Sequence, residues 1–339
     1  MNDLLPIDRV QSIQDFELLK LLADPHRLAI LRQLMAGAAT LSQLGKILDT
    51  YPARIRHHVK LLEDAGLIAL TTTHVSRGFV EKYYQATARA FVINLAVLPE
   101  WPQSGALVAW GSHDLALELM AQQMQEKKNT PGLFTLPVGS LDGLIALRQG
   151  LCQIAGSHLL DPEKGEYNAA HVRHLFPGEE MLLLTLSYRQ QGLLVAPGNP
   201  CGIRGLADLV REDVRFVNRR RGTGTRLWLD LHLKRLGLDT NFIRGYDVEA
   251  KTHLQVAQRV AQKQADVGLA ILAAARPFQL DFIPLFEERY DLVVPARAAG
   301  NVLLQPLLDY LQSAELRQQV ANLAGYDATH TGEVLKVSG

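Results

Sequence analysis

Residues 51–67 read YPARIRHHVKLLEDAGL and decide the fold of the N-terminal region. Proline fits the first position of a helix and glycine fits its end, so the opening Tyr-Pro and the closing glycine predict a helix over residues 53–65. Ile55, Val59 and Leu62 recur at helical spacing and predict an apolar face toward a core. The opposite side of this helix is basic.

The segments on either side of residues 51–67 add further elements. An amphipathic helix is predicted from Ile13 to Leu22. Asp24-Pro25 starts a second helix that stops near Gly37, and residues 40–43 form a capping box for a third. A β-branched run at 67–73, a polar turn at 76–78 and a strand at 79–86 predict a hairpin. Helices followed by a hairpin predict an α+β winged helix-turn-helix domain, which we place at residues 1–97.

The basic side of the predicted helix is a candidate DNA-binding surface. A recognition helix enters the major groove with its N-terminal end at the base edges. The candidate side chains near this end are Arg54, Arg56, His57, His58 and Lys60. Arg77 at the hairpin tip is placed to reach a phosphate or the minor groove, with Lys82 supporting it. The alternative is that these are ordinary solvated charges.

Two stretches carry a resemblance to a known family: LADPHRLAIL at 22–31 and RHHVKLLEDAGL at 56–67. Together they resemble ArsR-type winged helix regulators over roughly residues 15–90. The resemblance implies double-stranded operator DNA as a partner and a homodimer. Metal sensing is not expected from this region, because it contains no cysteine and because adjacent histidines do not share a helix face. The signal should then come from elsewhere in the chain.

Composition narrows the classes of function. The 339 residues carry 35 basic and 35 acidic side chains, so any attraction to DNA must be local. Cys152 and Cys201 are far apart and predict reduced thiols rather than a metal or redox site. We find no signal peptide and no apolar run of membrane-spanning length, and therefore expect a cytoplasmic protein without a membrane partner.

The pattern changes after residues 98–104, a stretch with two prolines that predicts a linker. From residue 105 to 339, short apolar runs alternate with helical stretches, which is typical of an α/β domain with buried parallel strands. Separate strands are predicted at 181–186 and 193–196. The whole chain is thus predicted to be multidomain, a winged helix followed by an α/β domain.

The α/β region resembles type II periplasmic-binding-protein domains, in particular those of molybdate- and tungstate-related proteins. The resemblance rests on the order of several stretches: 139–144, 156–161, 165–168, 218–226, 249–253, 265–269 and 288–295. It implies two lobes around a ligand cleft, with chain crossings near 196–200 and 286–295. Lobe one would be residues 105–196 with 293–339, and lobe two residues 197–290.

Several glycines followed by hydroxyl residues predict an anion site in this cleft. Glycine admits close approach, Ser or Thr donates a hydrogen bond, and a helix start adds free N–H groups. The candidates are Ser112, His113, Ser140, Ser157, Thr223, Gly224, Thr225 and Thr252. Arg221 and Arg226 would add positive charge, and molybdate or tungstate is the candidate effector. Each Gly-Ser is by itself also an ordinary helix cap, and residues 219–221 could form a solvated loop. His158 and Tyr290 could line the cleft or simply pack.

The usual catalytic and cofactor motifs are missing from the sequence, so we expect neither an enzyme nor a required cofactor. A ligand-controlled transcription regulator is the preferred hypothesis. One alternative is a regulator that senses a small organic anion, as in LysR-type proteins. Another is an accessory protein for oxyanion or molybdenum-cofactor handling that does not bind DNA.

Overall fold

The computed structural model describes residues 10–13, 15–76, 79–93, 105–127 and 130–339. The chain divides into two compact units, Met1–Val97 and Leu98–Gly339. The predicted linker at 98–104 lies outside the described residues. No helix in the described ranges is both long and apolar enough to cross a membrane.

The first unit has the predicted order of helices followed by a hairpin. Its elements are β1 (Val10–Ile13), α1 (Phe16–Leu22), α2 (Pro25–Ala36), α3 (Leu41–Ile47), α4 (Pro52–Asp64), β2 (Ile68–Ser76), β3 (Phe79–Ala86) and β4 (Ala90–Ile93). Asp24 caps α2 by accepting from the amides of His26 and Arg27, and Thr40 and Gln43 form the capping box of α3. The multidomain prediction of a helix-turn-helix region followed by an α/β domain is confirmed.

The helix predicted from Ile13 is wrong at its start. Residues 10–13 pair in parallel with residues 90–93, and the helix begins only at Phe16, after the cap Asp15. Sequence spacing did not reveal this pairing, because the partner strand lies about eighty residues further along the chain. The buried hydrophobic core of the first unit contains Ile30, Leu34, Leu44, Ile55 and Leu62.

The second unit is built on a mixed sheet with helices around it. Its elements are β5 (Ala106–Gly111), α5 (Leu115–Glu126), β6 (Gly132–Pro137), α6 (Ser140–Arg148), β7 (Ile154–Ser157), α7 (Ala169–Leu175), β8 (Glu180–Val195), β9 (Phe216–Arg219), α8 (Gly224–Arg235), β10 (Glu249–Ala250), α9 (His253–Ala261), β11 (Val267–Ile271), α10 (Leu272–Ala275), β12 (Asp281–Pro295), α11 (Gln305–Leu311), α12 (Ala314–Ala321), β13 (Tyr326–Asp327) and β14 (Val334–Ser338). The main strand order is β10-β9-β11-β8-β12-β7-β5-β6.

Two long antiparallel strands, β8 and β12, run through both lobes. The first part of β8 pairs with β14, and its last part pairs with β11. The two strands predicted at 181–186 and 193–196 are therefore one strand, and the first crossing lies inside β8 rather than near 196–200. The reason is that the run SYRQQ at 187–191 is polar although Ser187, Arg189 and Gln191 are buried within the strand. The second crossing lies in β12, which pairs with β8 along its length.

Candidate functional site

The two lobes meet where helices of both begin. The amide of Leu141, in the first turn of α6, donates to the carbonyl of Gly222 in the other lobe at 3.4 Å. Gly224, the first residue of α8, lies so close to His158 that a Cβ there would collide with the His158 carbonyl oxygen. These contacts place the start of α8 directly against residues that follow β7.

A row of three buried side chains lies at this meeting point. Ser112 Oγ is 2.8 Å from His158 Nε2, and His158 Nδ1 is 2.7 Å from Glu288 Oε2. The backbone N–H of His158 also donates to Ser140 Oγ at 3.2 Å. No motif in the sequence pairs a nucleophile with a general base. The fold nevertheless brings a serine, a histidine and a carboxylate into one hydrogen-bonded row. Such a row fixes the tautomer of the histidine and the direction of the serine hydroxyl.

Glu288 also anchors a buried ion network. Its Oε1 accepts from Arg189 Nε at 2.6 Å and from Gln191 Nε2 at 2.7 Å. Arg189 reaches Asp114 Oδ2 at 2.6 Å with its Nη1. Burial acts to raise the pKa of Glu288, but His158 and Arg189 outweigh it and lower that pKa to about 2. Arg189 is thus balanced by two carboxylates.

Arg219, at the end of β9, has no such balance. It is fully buried, and only its Nη1 has an acceptor, the carbonyl of Ala250 at 3.1 Å. Its Nε and Nη2 have no partner among the described residues. Burial, together with the nearby Arg189, lowers the pKa of Arg219 to about 9, so it stays charged at neutral pH. A buried guanidinium with two unpartnered nitrogens and no carboxylate bonded to it is unfavourable.

His253 adds further unpartnered nitrogens. It is the first residue of α9 and fully buried, and neither ring nitrogen has a partner in the described part of the chain. Its ring lies 5.8 Å from that of His113. Burial lowers the pKa of His253 well below its usual value, and Arg219 and Arg189 lower it further. The charge of Arg219 lowers the pKa of His253 and also that of His158, so these three side chains lie near one another.

The unpartnered atoms come from both lobes. They include Arg189 Nη2, Arg219 Nε and Nη2, both nitrogens of His253, and His113 Nδ1. Gln191 Oε1 is an unpartnered acceptor in the same network. Arginine nitrogens only donate, and a neutral histidine has one donor. The arrangement therefore suits a small ligand whose surface consists mainly of acceptor atoms.

The predicted ligand residues differ in whether they are buried at the meeting point of the lobes. Ser112, Ser140, Gly224 and Thr225 are buried at the meeting point of the lobes, and Thr225 Oγ1 accepts from Gln191 Nε2 at 2.8 Å. His113 is also buried there, with Nε2 3.0 Å from Glu118. These residues lie next to the unpartnered donors.

The hydroxyl groups of the other predicted residues form hydrogen bonds with nearby protein atoms. Ser157 Oγ bonds to Asn168 Oδ1 at 2.8 Å. Thr223 caps α8 and Thr252 caps α9, each through its own hydroxyl. For these three residues the structure supports the alternative of a cap or a local bond.

Two predicted arginines are corrected. Arg221 is exposed and pairs with Asp247 at 3.2 Å, because it sits in the turn that follows β9 rather than within the strand. Arg226 is buried but is satisfied by Asp230 at 2.8 Å and lies over the ring of Tyr246. The buried arginines with unpartnered nitrogens are instead Arg189 and Arg219. Arg219 ends a buried strand, and that position was the signal in the sequence that could have singled it out.

The first unit presents a basic helix surface. Arg54, Arg56, His57 and Lys60 of α4 are exposed, and so is Lys82 of β3. The prediction for His58 is corrected, because this ring is buried and stacks on His26 with 5.7 Å between ring centroids. Arg77 lies outside the described residues. Four of the five predicted side chains on α4 can therefore reach a partner.

These features define a class of protein, a helix-turn-helix domain joined to a two-lobed ligand-binding domain. Residues 22–71 match the family model "Helix-turn-helix domain", and residues 121–312 match "PBP superfamily domain". Since the second model covers more than half of the chain, the chain belongs to the PBP superfamily.

The chain is also similar to individual proteins. The Bacillus subtilis (strain 168) protein YvgK is 34% identical over 235 residues, which is 69% of this chain and 75% of that protein. The tungstate ABC transporter structure from Geobacter sulfurreducens aligns with 64% of this chain and 98% of its own, at 15% identity and a TM-score of 0.46. The regulatory domain of a LysR family regulator from N. meningitidis aligns with 66% of this chain and 98% of its own, at 12% identity and a TM-score of 0.45.

Proposed function

We propose that this protein is a one-component transcription regulator of the cytoplasm. Its helix-turn-helix domain, which we take to be of the ArsR type, binds operator DNA as part of a homodimer. A small anion in the cleft of the second domain changes the affinity for that operator. The observation that carries the proposal is the buried Arg219, whose two unpartnered nitrogens call for an anion in a domain attached to a DNA-binding unit.

A small oxyanion such as molybdate or tungstate is the proposed effector. Its oxygens accept hydrogen bonds in all directions, which suits the unpartnered donors of Arg189, Arg219 and His253. Phosphate belongs in the test, because it carries a proton at neutral pH that the free acceptor Gln191 Oε1 could bind. A small organic anion remains the alternative ligand class. No cofactor or catalytic step is part of the proposal.

Isothermal titration with molybdate, tungstate, sulfate and phosphate tests the ligand. We expect one of these to bind the wild type and to bind Arg219→Gln at least about tenfold more weakly, since a charge-assisted bond is lost. Arg221→Gln is the matched control, because Arg221 lies two residues away but is exposed and paired elsewhere. Failure of all four anions to bind would contradict the oxyanion proposal.

Binding of the protein to its own promoter region tests the DNA claim. Arg56→Ala should weaken binding by about 1–3 kcal/mol if Arg56 reads a base edge. Arg32→Ala is the control, since Arg32 is an exposed arginine of α2 outside the predicted recognition helix. Affinity should fall steeply with added salt. Equal effects of the two substitutions would argue against α4 as the DNA-reading helix.

A further inference from the structure

We propose that the cleft binds its anion together with one proton, which His158 takes up, and that it therefore prefers oxyanions of charge minus two. This inference rests on the proposed oxyanion function and adds to it a charge class and a pH dependence. It starts from the buried row Ser112–His158–Glu288, which has hydrogen-bond distances of 2.8 and 2.7 Å.

With His158 neutral, this row uses the Ser112 hydroxyl hydrogen internally. Glu288 is ionised and can only accept, so His158 Nδ1 must carry the hydrogen of that bond. In a neutral imidazole the other nitrogen, Nε2, then has a lone pair and accepts from Ser112. The hydroxyl hydrogen is thereby used, and Ser112 offers only lone pairs to the cleft.

Protonation of His158 reverses this bond. An imidazolium donates from both nitrogens, so Nε2 donates to Ser112 Oγ and the hydroxyl hydrogen is freed for the ligand. An anion without hydrogens needs donors from every side and thus favours the protonated state. One proton on His158 converts Ser112 from an acceptor into a donor.

The charges that face His158 set the direction of this linkage. They come from Glu288 on β12, Arg189 on β8 and Arg219 on β9, with His253 at the start of α9 and the ring of Tyr290 stacked at 5.8 Å. Burial lowers the pKa of His158, Glu288 opposes this, and the two arginines lower it further. A bound anion acts against the arginines and raises that pKa, and a dianion does so more than a monoanion.

His253 does not require the same step. Neither of its nitrogens has a partner among the described residues, so a neutral His253 can turn its one N–H toward the ligand without taking up a proton. The arginine nitrogens donate in any case. Whether the hydroxyl group of Ser112 can donate a hydrogen bond to the ligand depends on whether His158 is protonated.

The charge balance explains why a dianion would take up a proton on binding. Arg189 and Arg219 carry two positive charges and Asp114 and Glu288 two negative charges, so this buried group sums to zero before the ligand arrives, although neither carboxylate is bonded to Arg219. A dianion entering alone would leave two uncompensated charges, and one proton on His158 halves that excess. The starts of α6, α8 and α9 add further partial positive charge.

Titration calorimetry with tungstate tests the proposal in the full chain. Measurements in buffers of different ionisation enthalpy give the number of protons taken up per ligand. We expect uptake approaching one proton, and an affinity that falls as pH rises above about 6.5, by at most about tenfold per unit, as long as His158 is neutral without ligand and protonated with it. Perrhenate has the shape of tungstate with one negative charge, and should bind more weakly with less proton uptake.

Substitutions of single histidines show which residue takes up the proton when tungstate binds. In His158→Gln, an amide can bridge Glu288 and Ser112 as the neutral ring does, so tungstate should bind more weakly and without proton uptake. His330→Gln is the control, because His330 is exposed and pairs with Glu333 rather than with a residue of the buried row; its proton uptake should equal that of the wild type. Thermal melts show whether each variant is folded, and the comparison of tungstate with perrhenate needs no variant.

The outcomes separate this inference from the function it rests on. Tungstate binding without proton uptake, or equal binding of tungstate and perrhenate, would overturn the inference and leave the oxyanion site standing. Uptake that persists in His158→Gln but is lost in His253→Gln would also overturn it. No binding of any oxyanion would overturn both.

Discussion

Arg219 is the residue on which the ligand proposal depends. A guanidinium that is fully buried without a carboxylate raises the free energy of the ligand-free fold. Arg189, equally buried, differs because Asp114 and Glu288 lie 2.6 Å from it. The contrast between the two arginines distinguishes a structural charge from a charge held for a ligand.

Replacing Arg219 by methionine should therefore stabilise the ligand-free protein while abolishing anion binding. An apolar side chain of similar length removes the buried guanidinium and its two unpartnered nitrogens, and we expect a gain of about 1–4 kcal/mol. Thermal or urea denaturation without ligand measures it. Arg189→Met is the contrasting variant. It should destabilise the fold, because it leaves the buried carboxylates of Asp114 and Glu288 without their arginine partner. A loss of stability in Arg219→Met would show that Arg219 has a structural partner.

Glu288 should make the second domain sensitive to acid. Its pKa in the fold is about 2, against an ordinary value of 4.5. A lowered carboxyl pKa adds stability above the unfolded value, and this stability is lost as pH falls from about 4.5 toward about 2. Acid denaturation followed by circular dichroism checks this. Glu288→Gln should be less stable at neutral pH and should lose part of this acid dependence; an unchanged acid profile would contradict the role given to Glu288.

At the scale of elements, strand β8 shows what sequence could and could not reveal. Its apolar ends were predicted, because buried strands are apolar runs. The polar residues between them resembled a turn, and only the fold shows that Arg189 and Gln191 are buried partners of Glu288. Glu288 is distant in sequence, so no local pattern links it to β8. The caps of α2 and α3 and the order of elements from α2 to β3 depend on local chemistry and were predicted correctly, whereas β1 and β4 were not predicted.

The start of α8 should control how closely the lobes can meet. A side chain at Gly224 would collide with the carbonyl of His158, so Gly224→Ala should hold the lobes apart and weaken anion binding. Gly205→Ala is a suitable control, because a Cβ there meets nothing within 4 Å. Calorimetry gives the affinity, and small-angle scattering gives the size of the second domain. Unchanged affinity in Gly224→Ala would mean that this contact does not belong to the ligand-bound state.

At the scale of the whole molecule, the chain joins a helix-turn-helix domain to a PBP superfamily domain. Sequence predicted both, since each has local motifs in a fixed order. It named several hydroxyl residues that are buried where the lobes meet, and it named the paired Arg221 and Arg226 rather than Arg189 and Arg219, which are buried with unpartnered nitrogens. Which arginine is buried without a partner depends on packing between distant strands, and composition and spacing do not contain that information.

Operator affinity of the full chain with and without tungstate tests the central claim most directly. Allosteric coupling is typically about 5- to 150-fold in affinity. We expect tungstate to change operator affinity within this range for the wild type and for Arg221→Gln, and to have no effect on Arg219→Gln. The account is contradicted if tungstate occupies the cleft and operator affinity stays the same, or if Arg219→Gln responds like the wild type.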